Sequence, residues 1–407
     1  MNVGIIGGGA AGMMAAITAA KEGAKVTILE RNDRVGKKIL VTGNGKCNLG
    51  NYDLRKEMYY GANREWIWDK LQRFNTVDTV KFFEELGLMV KDKNGYLYPA
   101  CEQAAVVLDV LRIALERLHV ESVYDCKINH IEHNDVNGKI SVSDGSKQYV
   151  FDKVIVACGS KAAPKTGSDG SGYKLAKQMG HEIVPTVPAL VQMKCVEDYF
   201  KAVAGVRTDA LLKVWNKEKC VAQERGELQL TEYGISGIPV FQLSRVMNYV
   251  LREQQEVSVS IHLLPDFSED DYQQFCHNRM THMSDITVEE FFTGMLHKKI
   301  MMLFTKQCGL KPNMLVKEVG KEKLMQVFAL CREWKVTVNG SNPYDNAQVC
   351  AGGVDIRELS DDLESLKMPG VYFAGEVIDV DGKCGGYNLQ WAWCSGHITG
   401  KSAASKE

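Results

Sequence analysis

Between residues 3 and 30 the chain carries the parts of a phosphate and ribose site. A short apolar run, Val3 to Ile6, enters Gly7-Gly8-Gly9-Ala10-Ala11-Gly12, and an acid, Glu30, closes the next apolar run, Lys25 to Leu29. The glycines serve separate ends. Gly7 makes the tight turn out of a strand, Gly9 lets a pyrophosphate approach the backbone, and Gly12 lets a new helix pack close to the sheet. The free amides at that helix start, around Ala10 and Ala11, then face the phosphates. Glu30 can accept two hydrogen bonds from a ribose diol and would repel a 2′-phosphate, so the nucleotide is adenosine without that phosphate; Arg31 is counted with it in the binding set. The bland alternative is an architectural turn that binds nothing.

These residues need a particular scaffold. Strand, glycine turn, helix from Met13 to Lys21, turn at Gly23, second strand and acid make the dinucleotide-binding half of a Rossmann fold. Choosing FAD over NAD rests on the far end of the chain. There Val371-Tyr372-Phe373-Ala374 reads as a buried strand ending in Gly375-Glu376, where an acid can hold a ribitol hydroxyl or a backbone amide. A glycine turn from Asp381 to Gly386 leads into an apolar helix starting at Tyr387, with Asn388 as its expected N-cap and Leu389 beside it. A flavin gains negative charge near N1 and its C2 carbonyl on reduction, so a helix N-terminus at that edge would stabilise the reduced form.

At this point the two ends together resemble the two-dinucleotide-binding-domain flavoproteins, and specifically the BaiN/RdsA family of FAD-dependent oxidoreductases. The resemblance runs through Gly36 to Asn48 (GKKILVTGNGKCN), Ala351-Gly352-Gly353-Val354, Ala374 to Gly382 (AGEVIDVDG) and Gly385-Gly386-Tyr387-Asn388. Thr166 to Gly170 and Gly234 to Gly237 extend it through the middle of the chain. It implies bound FAD and, from members with assigned activity, either reduction of unsaturated steroid intermediates or oxidation of small amines. Four departures stand out. Lys46 replaces an expected arginine, Glu232 a histidine, Ile238 a proline and Cys350 a threonine. The resemblance also implies that backbone groups at Ile128 meet adenine and that Gly159 closes over the pyrophosphate; a bare buried strand is the equal reading for Ile128.

Length and composition fit. A chain of 407 residues with 45% hydrophobic and 25% charged residues is too long for one ordinary core and too apolar for disorder. A net charge of −2 offers no basic surface, so no nucleic-acid partner is expected. Twelve cysteines are scattered without a Cys-x-x-Cys pair or zinc spacing, no signal sequence precedes the first strand, and no apolar stretch approaches a bilayer span. Reduced thiols in a cytoplasmic, metal-free protein are the expectation.

The expected architecture is α/β: a discontinuous Rossmann-like FAD-binding domain, residues 1–186 and 346–407, interrupted by a β-rich domain at 187–345 with a small helical segment at about 266–332. Helices are expected over Phe74 to Leu86, Ala104 to Leu118, Ser268 to Met280 and Thr287 to Cys308, the last with a capping box from Thr287 to Glu290. Strands are expected at Cys126 to Ile128, Lys139 to Val142, Lys153 to Gly159, Ala210 to Trp215 and Cys220 to Thr231. The inserted piece would cover the flavin and shape the substrate pocket.

The glycine-rich loop from Arg34 to Asn51 has too little apolar periodicity for a core element and carries Lys37, Lys38, Thr42, Gly43 and Lys46. Lys38, Thr42 and Gly43 join the cofactor set, and the lysines would neutralise the pyrophosphate or reduced flavin; a solvated loop is the alternative. No catalytic group is named outright. Lys46 and Tyr387 are the candidates, Tyr387 as a donor to a substrate carbonyl. Cys47 and Cys384 lie in flavin-proximal motifs without a paired thiol, and Trp391, Trp393 and His397 read as packing residues of the last helix. No second glycine fingerprint follows, so NAD(P)H would bind transiently as reductant, or electrons would come from substrate or a carrier. The expected reaction is hydride transfer through flavin N5 to a carbon–carbon double bond conjugated with a carbonyl, in a steroid-like or other small molecule. The alternatives are an amine oxidase using oxygen and a flavoprotein acting on RNA or a protein partner.

Overall fold

Short β-branched runs pair in register to make the sheet that carries the nucleotide site. The computed structural model describes residues 1–134, 136 and 138–405, which form two compact units, Met1–Pro188 with Tyr344–Glu407, and Ala189–Pro343. In the first unit a parallel sheet runs in the order Val371–Phe373, Lys153–Val156, Asn2–Ile6, Lys25–Leu29, Glu121–Val123. Ile5 sits opposite both Ile28 and Ile155, and Ile155 opposite Tyr372, so the sheet is buried on both faces, as a parallel sheet must be. The first strand is central, and its carboxyl end is where a ligand of such a sheet belongs.

The helix Ala10–Lys21 leaves that strand and is covered by the terminal helix Tyr387–Ala404. Side chains on that terminal helix are small where the two meet. A Cβ at Gly396 or Gly400 would overlap the carbonyl oxygen of Ala11 or Ala15, so glycine sets how close the helices come. Trp393 packs edge-on against Phe83 and donates to the Leu49 carbonyl at 3.0 Å, and His397 stacks on Phe74 at 4.3 Å. The packing readings of Trp393 and His397 follow from these contacts.

The second unit is a closed antiparallel barrel in the order Met193–Cys195, Gly234–Gly237, Lys219–Thr231, Arg207–Asn216, Val257–His262, Trp334–Ser341. Closure leaves no free sheet edge. Its inward residues, among them Leu212, Val214, Leu228, Val259 and Ile261, are fully buried. Between the last two barrel strands run helices Glu269–His282, Val288–Phe292, Lys298–Gln307 and Lys321–Arg332, joined by Phe291, Phe292 and Phe328.

Two local expectations are corrected, and one helix lies outside them. Cys126 to Ile128 is not a strand: the third parallel partner is Glu121–Val123, and Asp125 turns the chain out of the sheet at φ +52°. Thr287 to Cys308 is two helices, because Thr293 leaves the helical region at ψ 137°, although the capping box between Thr287 and Glu290 is present. The helix Arg64–Arg73, capped by Asn63 on the Trp66 amide, falls outside the expected set because its mean character is polar. Among the described residues no helix is long and apolar enough to cross a membrane, and no group of His, Cys, Asp and Glu could hold a metal.

Candidate functional site

The phosphate turn is built as its residue types require. Gly7 adopts φ +105°, and a Cβ there would stand 2.6 Å from the Ala157 carbonyl oxygen. A Cβ at Gly12 would overlap the Gly7 carbonyl oxygen, so the helix approaches the strand at a distance only glycine allows. Gly9 is different. A Cβ there would meet no atom within 4 Å, and Gly9 is the N-cap of the helix without any side-chain cap. The first-turn amides, including Ala10 and Ala11, therefore lie uncapped by any side chain at the positive end of a 12-residue helix.

Glu30 is 6% exposed at the end of the second strand. Its Oε2 accepts from the Gly8 amide at 2.7 Å and its Oε1 from the Asn32 amide and side chain, both at 2.8 Å. One acid thus ties the glycine turn to the next loop and keeps further lone pairs for a diol. Ile128 is buried, and its backbone N–H and C=O have no hydrogen-bond partner among the described residues, which leaves them for an adenine edge. Arg31 pairs with Asp169, which Lys127 also reaches at 3.1 Å. Burial opposes ionisation of Asp169, but bonds from Ser171, Arg31 and Lys127 outweigh it and hold the carboxyl well below its usual range. An uncapped helix start, a diol-accepting carboxylate and an unpaired backbone edge fit the pyrophosphate, ribose and adenine of FAD.

At the opposite end, Gly375 is clamped by the terminal helix. Its N–H donates to Ser395 Oγ at 2.9 Å and its C=O accepts from Trp391 Nε1 at 3.2 Å. Glu376 Oε2 accepts from Lys38 Nζ at 2.6 Å and Ser160 Oγ at 3.0 Å, bringing the basic loop, the residue after Gly159 and the last strand together. Cys350 joins this group: burial pushes its thiol up to about 11, against hydrogen bonds with Ser160 and the Lys161 backbone. The expected N-cap is corrected here. Gly386, at φ +95°, is the N-cap of the terminal helix, while Asn388 accepts from the Gly382 amide at 2.8 Å and donates to the Gly382 carbonyl at 2.9 Å. Asn388 already lies inside the first turn, so its amide closes the preceding loop. Leu389 is partly buried beside it.

Of the remaining candidates, Thr42 Oγ1 donates to the Ile39 carbonyl at 2.7 Å and Gly43 is exposed. A Cβ at Gly159 would crowd Ser168 Oγ at 2.8 Å. Lys46 is exposed and bonds Glu102 at 2.6 Å, which raises its pKa, and Lys37 bonds Asp33 at 2.6 Å. The Tyr387 hydroxyl donates to the Asp53 carbonyl at 3.1 Å, and burial pushes its pKa up to about 12. Cys47 is fully buried with its thiol pushed up to about 12, and both it and Cys384 are free thiols. Sequence reading missed Asn32, Ser160 and Ser395; of these only Ser160 had a signal, as the first polar residue after a strand-ending glycine.

The model of the HI0933-like protein Rossmann domain matches residues 1–402. The chain belongs to this HI0933-like family. Among its relatives, the 3-dehydro-bile acid delta(4,6)-reductase of Clostridium scindens is 41% identical, over 100% of this chain and 99% of its own. The ribosomal RNA dihydrouridine synthase of Haemophilus influenzae is 30% identical, over 97% and 96%. In fold, this HI0933-like chain is similar to the 3-ketosteroid-delta4-(5alpha)-dehydrogenase of Rhodococcus jostii RHA1, with a TM-score of 0.50 at 18% identity, covering 99% of this chain and 96% of that one. Phosphate turn, sheet order and full-length relationship to a reductase together make it a flavin oxidoreductase.

Proposed function

We propose that this enzyme reduces a carbon–carbon double bond conjugated with a carbonyl, in a steroid-like or other small organic molecule, using electrons from NAD(P)H. The observation that carries the reading is the 41% identity, over the whole chain, to a relative named as a delta(4,6)-reductase. It is supported by a nucleotide site whose separate parts suit FAD. When bound, FAD supplies hydride transfer at its N5. The chain's own residues do the holding. Amides at the Ala10 helix start take the pyrophosphate, Glu30 the ribose diol, and the Ile128 backbone the adenine edge. Glu376, oriented by Lys38 and Ser160, faces the same carboxyl edge of the sheet, where it would take a ribitol hydroxyl. The positive end of the terminal helix at Gly386 favours negative charge brought to it.

The test is the visible spectrum of the purified protein without oxygen, before and after NADH and NADPH in turn, followed by a conjugated 3-ketosteroid. Bleaching of bound flavin by a nicotinamide and its return on adding the enone is the expected result. Flavin that stays oxidised with both nicotinamides, or that the enone does not reoxidise, overturns the reading. A second reading, action on RNA, draws on the full-length relative named as a ribosomal RNA dihydrouridine synthase. The net charge of −2 weighs against it, since RNA binding draws on a basic surface. Salt-dependent retention of ribosomal RNA by the holoprotein would favour it.

A further inference from the structure

An open cleft of about 1080 Å³ lies in the inserted unit, on the outer face of the barrel. Strand alternation makes that face. Leu212, Val214, Val259 and Ile261 point inward, so Leu211, Lys213, Trp215, Ser260, His262 and Lys335 point outward. Leu211 lies opposite His262, Lys213 opposite Ser260, and Ser260 opposite Lys335, which makes Ser260 the middle of a row with a lysine on each side. Gln307 and Arg332, from the two neighbouring helices, contribute to the opposite wall.

The charges in this cleft do not cancel. Arg332 is paired with Glu269 at 3.2 Å and Lys335 with Glu333 at 3.0 Å, whereas Lys213 has no partner among the described residues. His262 Nε2 is buried and likewise has no partner among the described residues. A buried polar atom without a partner is uncommon and calls for one. Burial first, and then the Arg332 and Lys213 charges against the opposing Glu269, hold the His262 imidazole below its ordinary pKa. Trp215 Nε1 donates to Ser260 Oγ at 2.8 Å, which anchors the indole where it lines the cleft.

We propose that this cleft binds a small ring-bodied carboxylate, its anion held by Lys213 and His262 and its ring system laid against Trp215. The site is separate from the nucleotide unit and does not depend on the reaction proposed above. Its test is calorimetric titration of the flavin-loaded protein with 2-naphthoate, and with neutral 2-naphthamide for comparison. One saturable site per chain is expected, weakened at least tenfold by Lys213→Met, abolished by Lys213→Glu and weakened by added salt, with naphthamide at least tenfold weaker than naphthoate. Flavin content, thermal midpoint and basal turnover stay unchanged in both variants, which separates the site from the cofactor. Absence of saturable binding, equal binding by Lys213→Met, or equal affinity for the amide overturns the proposal.

Discussion

The two glycine turns that meet the ends of the nucleotide unit are alike in composition and opposite in what they leave open. At Gly7 to Gly12 the amides of the helix start carry no side-chain cap, and Glu30, which accepts from the Gly8 amide, orients the turn. At Gly375 to Asn388 the protein satisfies itself: Ser395, Trp391 and Asn388 take the main-chain groups of Gly375 and Gly382. The first turn leaves its helix-start amides uncapped, whereas the second ties its own backbone to the terminal helix, so that in the proposed site only the Glu376 carboxylate and the helix start at Gly386 remain to meet a ligand. Glycine content alone does not distinguish them; the fate of their amides does.

That contrast can be broken by substitution. Gly12→Val is expected to have the largest effect, costing about 3 kcal/mol or more of apoprotein stability by overpacking the helix on the strand, and losing FAD as well; thermal midpoint and flavin content check both. Glu30→Gln removes a charged acceptor worth about 1.5–3 kcal/mol and lowers FAD affinity about 10- to 100-fold. Equilibrium dialysis of the cofactor would measure it, and an unchanged affinity would remove Glu30 from the site. Ser395→Ala leaves the Gly375 amide buried without an acceptor and costs about 1–3 kcal/mol of apoprotein stability, read by denaturant unfolding, with a smaller change in FAD affinity.

Gly9→Ala is the complementary case. Apoprotein stability should change by less than about 0.5 kcal/mol because the new methyl meets nothing, while FAD binding weakens. Equal loss of apoprotein stability in Gly9→Ala and Gly12→Val would end the distinction between a glycine kept for a ligand and one kept for packing. A further small effect is electrostatic. Asp169 has a folded pKa held below its unfolded value, so its contribution is present above about pH 4, the ordinary Asp value, and is lost as pH falls through the folded value. A partly exposed ion-pair cluster is worth about 1 kcal/mol or less, so Asp169→Asn should lower the thermal midpoint slightly at pH 7, with the gap narrowing toward pH 3.

The nucleotide half was legible because its signals are local: strand, turn, helix and acid follow one another within residues 3 to 30. The C-terminal strand and helix were legible for the same reason. What escaped depends on residues far apart in sequence. Nothing near Ser395 announces that it holds the Gly375 amide, and nothing near Lys38 announces Glu376, 338 positions away. Asn388 misled because an asparagine ahead of an apolar run is a good N-cap by type, but a left-handed Gly386 had already ended the loop. The 126–128 strand failed because the alternation Cys126-Lys127-Ile128 carries no record of the Asp125 turn that precedes it. The cleft on the barrel was not legible at all, since it needs the register of three strands and two helices brought to them.

The close seat of Gly396 and Gly400 on the first helix has a consequence for biosynthesis. The phosphate turn is made before the barrel, but the helix that covers its own helix is made after it. Until those final turns emerge, Met14 and Ala15 lack their cover and the Gly375 amide lacks its acceptor. A chain with this connectivity closes a loop of nearly its whole length to complete one unit, which slows folding. The dinucleotide unit is therefore complete only once residues 387–404 can reach back across the barrel's whole length of sequence.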